Sequence, residues 1–176
     1  INNFFEAKIA TVYRDKNEKF IPRSSGIGSK DSNIFGSISS NQFNFIDISY
    51  DFILDNDFKT LEYNSLNTSI NYKNFKTSFN FIEEDGAIGD TNTIENKTSV
   101  KFNDENYLTF NTRRNRKIDL TEYYNLIYEY KNDCLIAGIE YNKSYYEDRD
   151  LKPSENLLFS ITLTPLTSFE QKIDQW

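Results

Sequence analysis

The sequence predicts an all-β chain, an antiparallel up-and-down transmembrane β-barrel segment of about ten strands. Three observations carry this. Apolar and polar residues alternate with a period of two in one stretch after another. The alternating stretches run about 9 to 12 residues, where strands of globular domains average about 5 to 6 and tilted membrane strands need about 9 to 11. The connections between them, taken alternately, fall into a short set and a longer, more charged set.

The strands are read at residues 3–13, 33–40, 43–54, 58–72, 75–83, 93–102, 107–114, 120–130, 134–146 and 155–164. In the third, Ile46, Ile48, Tyr50, Phe52 and Leu54 share one face, and Asp47, Ser49 and Asp51 the other. In the fourth, Leu66, Thr68, Ile70 and Tyr72 oppose Asn67, Ser69 and Asn71. In the fifth, Phe75, Thr77, Phe79 and Phe81 oppose Lys76, Ser78 and Asn80. Tyr124, Leu126, Tyr128 and Tyr130 share a face of the eighth, and Leu135, Ala137, Ile139 and Tyr141 a face of the ninth. In the tenth, Leu157, Phe159, Ile161 and Leu163 oppose Leu158, Ser160, Thr162 and Thr164. Helical spacing competes nowhere over a useful length.

A water-soluble sandwich is the ordinary home of such strands. Two features favour a lipid-facing barrel instead. The apolar faces are rich in Tyr and Phe near strand ends, as in an aromatic girdle, and the opposite faces carry Asn, Ser, Thr, Asp and Lys. The short connections are read at 40–42, 73–74, 103–106 and 131–133, and the long ones at 14–32, 55–57, 83–92, 114–119 and 147–155. In outer-membrane barrels the short turns are periplasmic.

Composition narrows the functions. Aromatic residues make up 16% of the 176 while mean hydropathy is -0.67, a pairing suited to apolar stripes on a polar chain. The net charge of -7 argues against nucleic acid as a partner. No histidine is present, so this chain alone cannot build a hydrolase triad or the usual catalytic zinc site. The reading is therefore non-enzymatic, with no cofactor and no metal. The N-terminal stretch lacks the pattern of a signal peptide, and apolar runs such as "LIAGI" fall far short of the roughly 20 residues of a membrane helix. The lack of Met leads us to expect a piece of a longer reading frame.

Other motifs are weaker. "RRNRK" places Arg113, Arg114, Arg116 and Lys117 in an expected outer loop, as candidate contacts for the phosphates of a ligand. Its ordinary reading is a solvated loop facing nearby acids. "EEDGAIGD" and "DND" carry carboxylates for a divalent cation but match no EF-hand spacing, and a plain turn is the ordinary reading. "SSGIGSK" lacks P-loop spacing. Arg149 and Asp150 are expected to fix the loop before the tenth strand.

The stretch "YEYKNDCLIAGIEYNKSYYEDRDLKPSENLLFSITL" resembles the C-terminal end of the LPS-assembly protein family, LptD or OstA, in its alphaproteobacterial form, and "DRDLKPSENLLFSITL" is its most specific piece. A weaker likeness runs through "GSISSNQFNFIDISYDFILDNDFKTLEYNSLNTSI". The resemblance implies a very large outer-membrane barrel, on the order of 26 strands, of which residues 1–166 would be the C-terminal portion and 167–176 a C-terminal tail. Strands cut from a wider barrel keep the wrong curvature for closing alone, so an open curved sheet is expected. The implied function is assembly of lipopolysaccharide into the outer leaflet of the Gram-negative outer membrane. The implied partners are lipopolysaccharide, outer-membrane lipid, the plug lipoprotein LptE and the periplasmic transport bridge. The alternative is another outer-membrane barrel, a porin or receptor; a barrel lipase or lipid A hydrolase is a third reading, disfavoured by the missing histidine.

The resemblance also bears on Cys134, the single cysteine. Members link cysteines near the barrel's C-terminal end to cysteines in the N-terminal periplasmic part. Cys134 follows a short turn, so it becomes a candidate for a disulfide with a partner outside this chain. Asp133 precedes a single thiol where many members carry two adjacent cysteines. Without the resemblance, a small thiol with no role is the ordinary reading. The last strand is implied to form one lip of a lateral gate, through Leu157, Leu158, Phe159, Ser160, Ile161, Thr162 and Leu163. Pairing is expected to stop at Pro165, which has no N–H to donate. Trp176 is read as a short tail or a truncation point.

Overall fold

The computed structural model describes residues 4–145, 153–163 and 167–174. Among them the chain is all-β, apart from one 3-10 turn at Arg23–Ser25. The strands are β1 (Phe5–Ala10), β2 (Ile34–Phe43), β3 (Ile46–Leu54), β4 (Leu61–Tyr72), β5 (Phe75–Glu84), β6 (Asn92–Lys101), β7 (Asn106–Asn115), β8 (Leu120–Lys131), β9 (Leu135–Ser144), β10 (Ser154–Leu163) and β11 (Thr167–Asp174). Their order in the sheet is their order in the chain. This is the expected antiparallel up-and-down architecture. Among the described residues no pairing joins β1 to β11, so the sheet is not closed. No helix here is long and apolar enough to cross a membrane, which says nothing about strands.

The chain divides into two compact units, residues 1–69 with 79–94 and residues 70–78 with 95–176. In the first, β1 pairs with β2 from Phe5↔Ser40 to Ala10↔Phe35, and β2 pairs with β3 from Ile34↔Leu54 to Phe43↔Ile46. The register sets Ile9, Gly36 and Phe52 in one row and Lys8, Ser37 and Asp51 in the next. Alternation thus runs in register across three strands, until the apolar row Ala10, Phe35 and Ile53 interrupts the polar side. The long connection 11–33 is laced by Arg14 N–H to Lys30 O at 2.8 Å and Glu18 N–H to Gly28 O at 2.9 Å. Ser32 is its buried anchor: its hydroxyl accepts from Val12 N–H at 2.7 Å and donates to Asn33 O at 2.8 Å.

In the second unit β7 pairs with β8, β8 with β9, β9 with β10 and β10 with β11. Tyr128, Ile139 and Phe159 form one apolar row, and Leu126, Tyr141 and Leu157 another. Residue by residue between these rows runs the polar set. On β5 and β6 the apolar face carries one polar knot. Asn96 Nδ2 donates to Thr77 Oγ1 and to Ser78 O, both at 3.1 Å, and Thr98 Oγ1 donates to Asn96 Oδ1 at 3.0 Å. These mutual bonds are what let Thr77 sit buried on a face otherwise set by Phe75 and Phe79.

The distribution of burial is inverted relative to a globular domain. Among the described residues no large hydrophobic side chain is buried, and the buried polar residues are Ser32, Asn64, Ser65, Thr77 and Thr93. Leu126, Ile139, Ile161 and Leu163 stay more than 40% exposed on the apolar face of the second unit. A two-layer protein would cover such rows with a second layer.

The connections alternate in length, except that 116–119 is no longer than 102–105. Among the described residues the short ones are 44–45, 73–74, 102–105 and 132–134, and those alternating with them are 11–33, 55–60, 85–91 and 116–119. Two boundaries are corrected. The turn expected at 40–42 lies at 44–45, because β2 continues through an irregularity between Ser40 and Phe43. The short 55–57 widens to 55–60, with Phe58 in left-handed backbone at φ 58°. A third correction is larger: residues 167–174, read as tail, form β11. Arg149, Asp150, Pro165 and Trp176 lie outside the described residues.

Candidate functional site

The polar face of the second unit carries a row of amides in register. Asn111, Asn125, Asn142 and Asn156 stand opposite one another on β7, β8, β9 and β10. Strands lie roughly 4.8 Å apart, so the row is a track of amides about 14 Å long. Asn111 Nδ2 donates to Asn125 Oδ1 at 3.1 Å, and Asn125 Nδ2 donates to Glu140. The Oδ1 atoms of Asn111 and Asn142 are buried without a partner among the described residues. Acceptors in that condition call for water or a polar ligand. Further along the same face Ser160 Oγ sits against Gly138, its register partner: a Cβ there would stand 2.7 Å from that oxygen.

The candidate site residues read from sequence lie within the described residues. Cys134 is exposed and free, in the short connection 132–134. Asn132 Oδ1 shapes that turn by accepting from Cys134 N–H at 3.0 Å and Leu135 N–H at 2.8 Å. Leu157 to Leu163 lie in β10. Phe159, Ile161 and Leu163 are exposed; Leu158, Ser160 and Thr162 are half-buried. The expectation that this is the last strand is corrected. β10 is paired along its length on both sides, with β9 from Ser154↔Ser144 to Leu163↔Leu135 and with β11 from Asn156↔Asp174 to Leu163↔Thr167.

The basic cluster is divided between a strand and the connection after it: Arg113 and Arg114 belong to β7, and Arg116 and Lys117 to that connection. Arg113 lies 2.7 Å from Glu122 and 3.4 Å from Glu95, and Arg114 pairs with Asp119. The Glu122 contact is ionic, since Arg113 Nε is not aligned for a hydrogen bond. The acids foreseen opposite this loop therefore include Glu95, Glu122 and Asp119.

One cluster was not singled out from sequence. Near the short connections 73–74 and 102–105, a groove of about 530 Å³ is lined by Lys73, Lys76, Lys97 and Lys101, with Glu129 as its single carboxylate. Lys101 Nζ is 2.7 Å from Asp104 Oδ1. The hydrogen bond from Lys101 holds the Asp104 carboxyl below the usual carboxylate range. Among the described residues Lys73, Lys76 and Lys97 have no acidic partner within ion-pair distance. The signal was present in the sequence: Lys97 and Lys101 share the polar parity of β6, and Lys76 that of β5. It became readable only once the two hairpins were laid side by side.

Among the described residues no group of three or more Cys, Asp or Glu side chains is arranged to hold a metal ion. No family model, curated protein or solved structure matches the chain.

Proposed function

We propose that this chain is part of an outer-membrane translocon that assembles lipopolysaccharide into the outer leaflet, its strands membrane-embedded and its short turns periplasmic. The observation that carries the reading is the inversion of burial: exposed Leu126, Ile139 and Ile161 on one face, half-buried asparagines in register on the other. Lipid would cover the first face, where water would leave it aggregation-prone. The second would offer amides to the sugar part of lipopolysaccharide while acyl chains leave sideways. The likeness of residues 128–163 to the LPS-assembly family supports this substrate over those of a porin or receptor. No bond is made or broken in the process, so no catalytic residue is assigned. Because β11 follows β10, the lip of the lateral gate moves to β11, and β10 becomes the strand it hinges upon. Cys134, on the short-turn side, would join the periplasmic part of the complete protein, and LptE would plug the complete barrel.

The test is site-specific photocrosslinking in cells, with a crosslinking amino acid at Ser160 on the polar face and at Ile161 on the apolar face. Lipopolysaccharide adducts at Ser160 and phospholipid adducts at Ile161 are expected. Residence in the outer membrane without any lipopolysaccharide adduct at polar-face positions would leave only the porin or receptor reading. Residence in the aqueous fraction would sink both.

A further inference from the structure

We infer that the lysine groove of the second unit is a phosphate-binding station at the short-turn end of the polar face. Lys73 and Lys76 come from the β4–β5 hairpin, Lys97 and Lys101 from β6, and Glu129 from β8. In a chain of net charge -7, four ammonium groups around one concavity are opposed by a single lining carboxylate. Lys101 is engaged by Asp104 and Lys73 lies 5.3 Å over the Tyr72 ring, which leaves Lys76 and Lys97 as the groups with most charge to offer. Like charges gathered in a concave site raise the local potential and draw in a multivalent anion, and ammonium groups bind phosphate oxygens as point charges. The volume, about 530 Å³, suits a phosphorylated sugar better than a bare ion. Asn111 lines the same groove and begins the asparagine row, so a phosphate held by the lysines would place its attached sugar at the first amide of that track. The inference of a phosphate site stands on the groove alone. That the phosphate arrives on a glycolipid rests on the function proposed above.

The full chain folded into zwitterionic detergent micelles is titrated with two probes, inorganic pyrophosphate and micelles doped with a bisphosphorylated glucosamine lipid. The dephosphorylated lipid serves as reference. Three proteins are compared: wild type, Lys76→Gln/Lys97→Gln, and Lys59→Gln, whose lysine pairs with Asp57 in another connection. Binding of at least one phosphorylated probe should weaken about tenfold in the double variant, remain unchanged in Lys59→Gln, and fall with added salt. Dependence on the lipid probe places the phosphate on a glycolipid. Dependence on pyrophosphate alone supports the site and assigns it to a soluble phosphate. Equal binding by wild type and double variant to both probes overturns the inference. Since folding into micelles is read separately by gel mobility, loss of the groove and loss of the barrel reading give different results.

Discussion

The ring of Phe52 lies on the backbone of Gly36, its register partner, so closely that a Cβ built at Gly36 would stand 2.0 Å from Cζ. The ring fills the space that the missing side chain leaves on the apolar face, a device that pins register between strands. Gly36→Ala should push the ring off its rotamer and destabilise the β2–β3 pair by roughly 1–3 kcal/mol. Phe52→Leu in the same protein should recover part of the loss. Urea unfolding in micelles of the two single variants and the double variant measures this. A Gly36→Ala protein as stable as wild type would show that the ring has another seat.

The turn between β6 and β7 should be acid-sensitive through one group. The hydrogen bond from Lys101 depresses the Asp104 carboxyl, so its contribution is full above the carboxyl's unfolded value and is lost as pH falls through the lower folded value. Below about pH 4 the wild-type turn should loosen, read by amide exchange of Glu105 and Asn106, whose N–H groups bond Asn103 Oδ1 at 3.0 and 2.8 Å. Asp104→Asn should show the loosened turn already at neutral pH and no further change on acidification. Acid loosening that persists in Asp104→Asn would assign it to another carboxylate.

Cys134 should react as an open thiol. It is exposed beside the Asn132 turn, so a membrane-impermeant maleimide should label the folded isolated chain to completion. In cells making the complete protein, labelling should require prior reduction, and a non-reducing gel should show a mobility shift abolished by Cys134→Ser. Full labelling in unreduced cells would leave the thiol without a bridge.

Strand identity was legible where one face carries large apolar residues in strict alternation. Leu157 to Leu163 and Ile46 to Leu54 read as strands without help from neighbours. β11 was missed because its segment, "TSFEQKID", offers only Phe169 and Ile173 as apolar markers and follows a proline that reads as a stop. Its pairing along β10 is a tertiary fact, not a local one. The turn at 44–45 was displaced by the irregularity after Ser40, a bulge that shifts register without leaving a composition signal. The lysine groove was invisible for the same kind of reason: Lys73 and Lys101 are far apart in sequence and meet only through hairpin register.

Neighbouring residues of β10 distinguish a lipid-facing sheet from a water-facing one. Phe159 and Ser160 sit at the same depth on opposite faces, Phe159 between Ile139 and Gln171 in register and Ser160 between Gly138 and Glu170. If lipid covers the apolar face, Phe159→Arg places a charge in hydrocarbon and should cost roughly 2–4 kcal/mol near the midplane. Ser160→Arg enters a polar, wetted face opposite Gly138, which has no side chain to meet it, and should cost well under 1 kcal/mol, within the range of ordinary surface substitutions. In water the order would reverse or vanish, because Phe159 is already 38% exposed and an arginine there would be better solvated than the ring. Unfolding in lipid vesicles, monitored by the heat-dependent gel shift of each variant, reads the difference directly. Equal stabilities of Phe159→Arg and Ser160→Arg would remove lipid from the apolar face and with it the physical basis for a membrane-embedded chain.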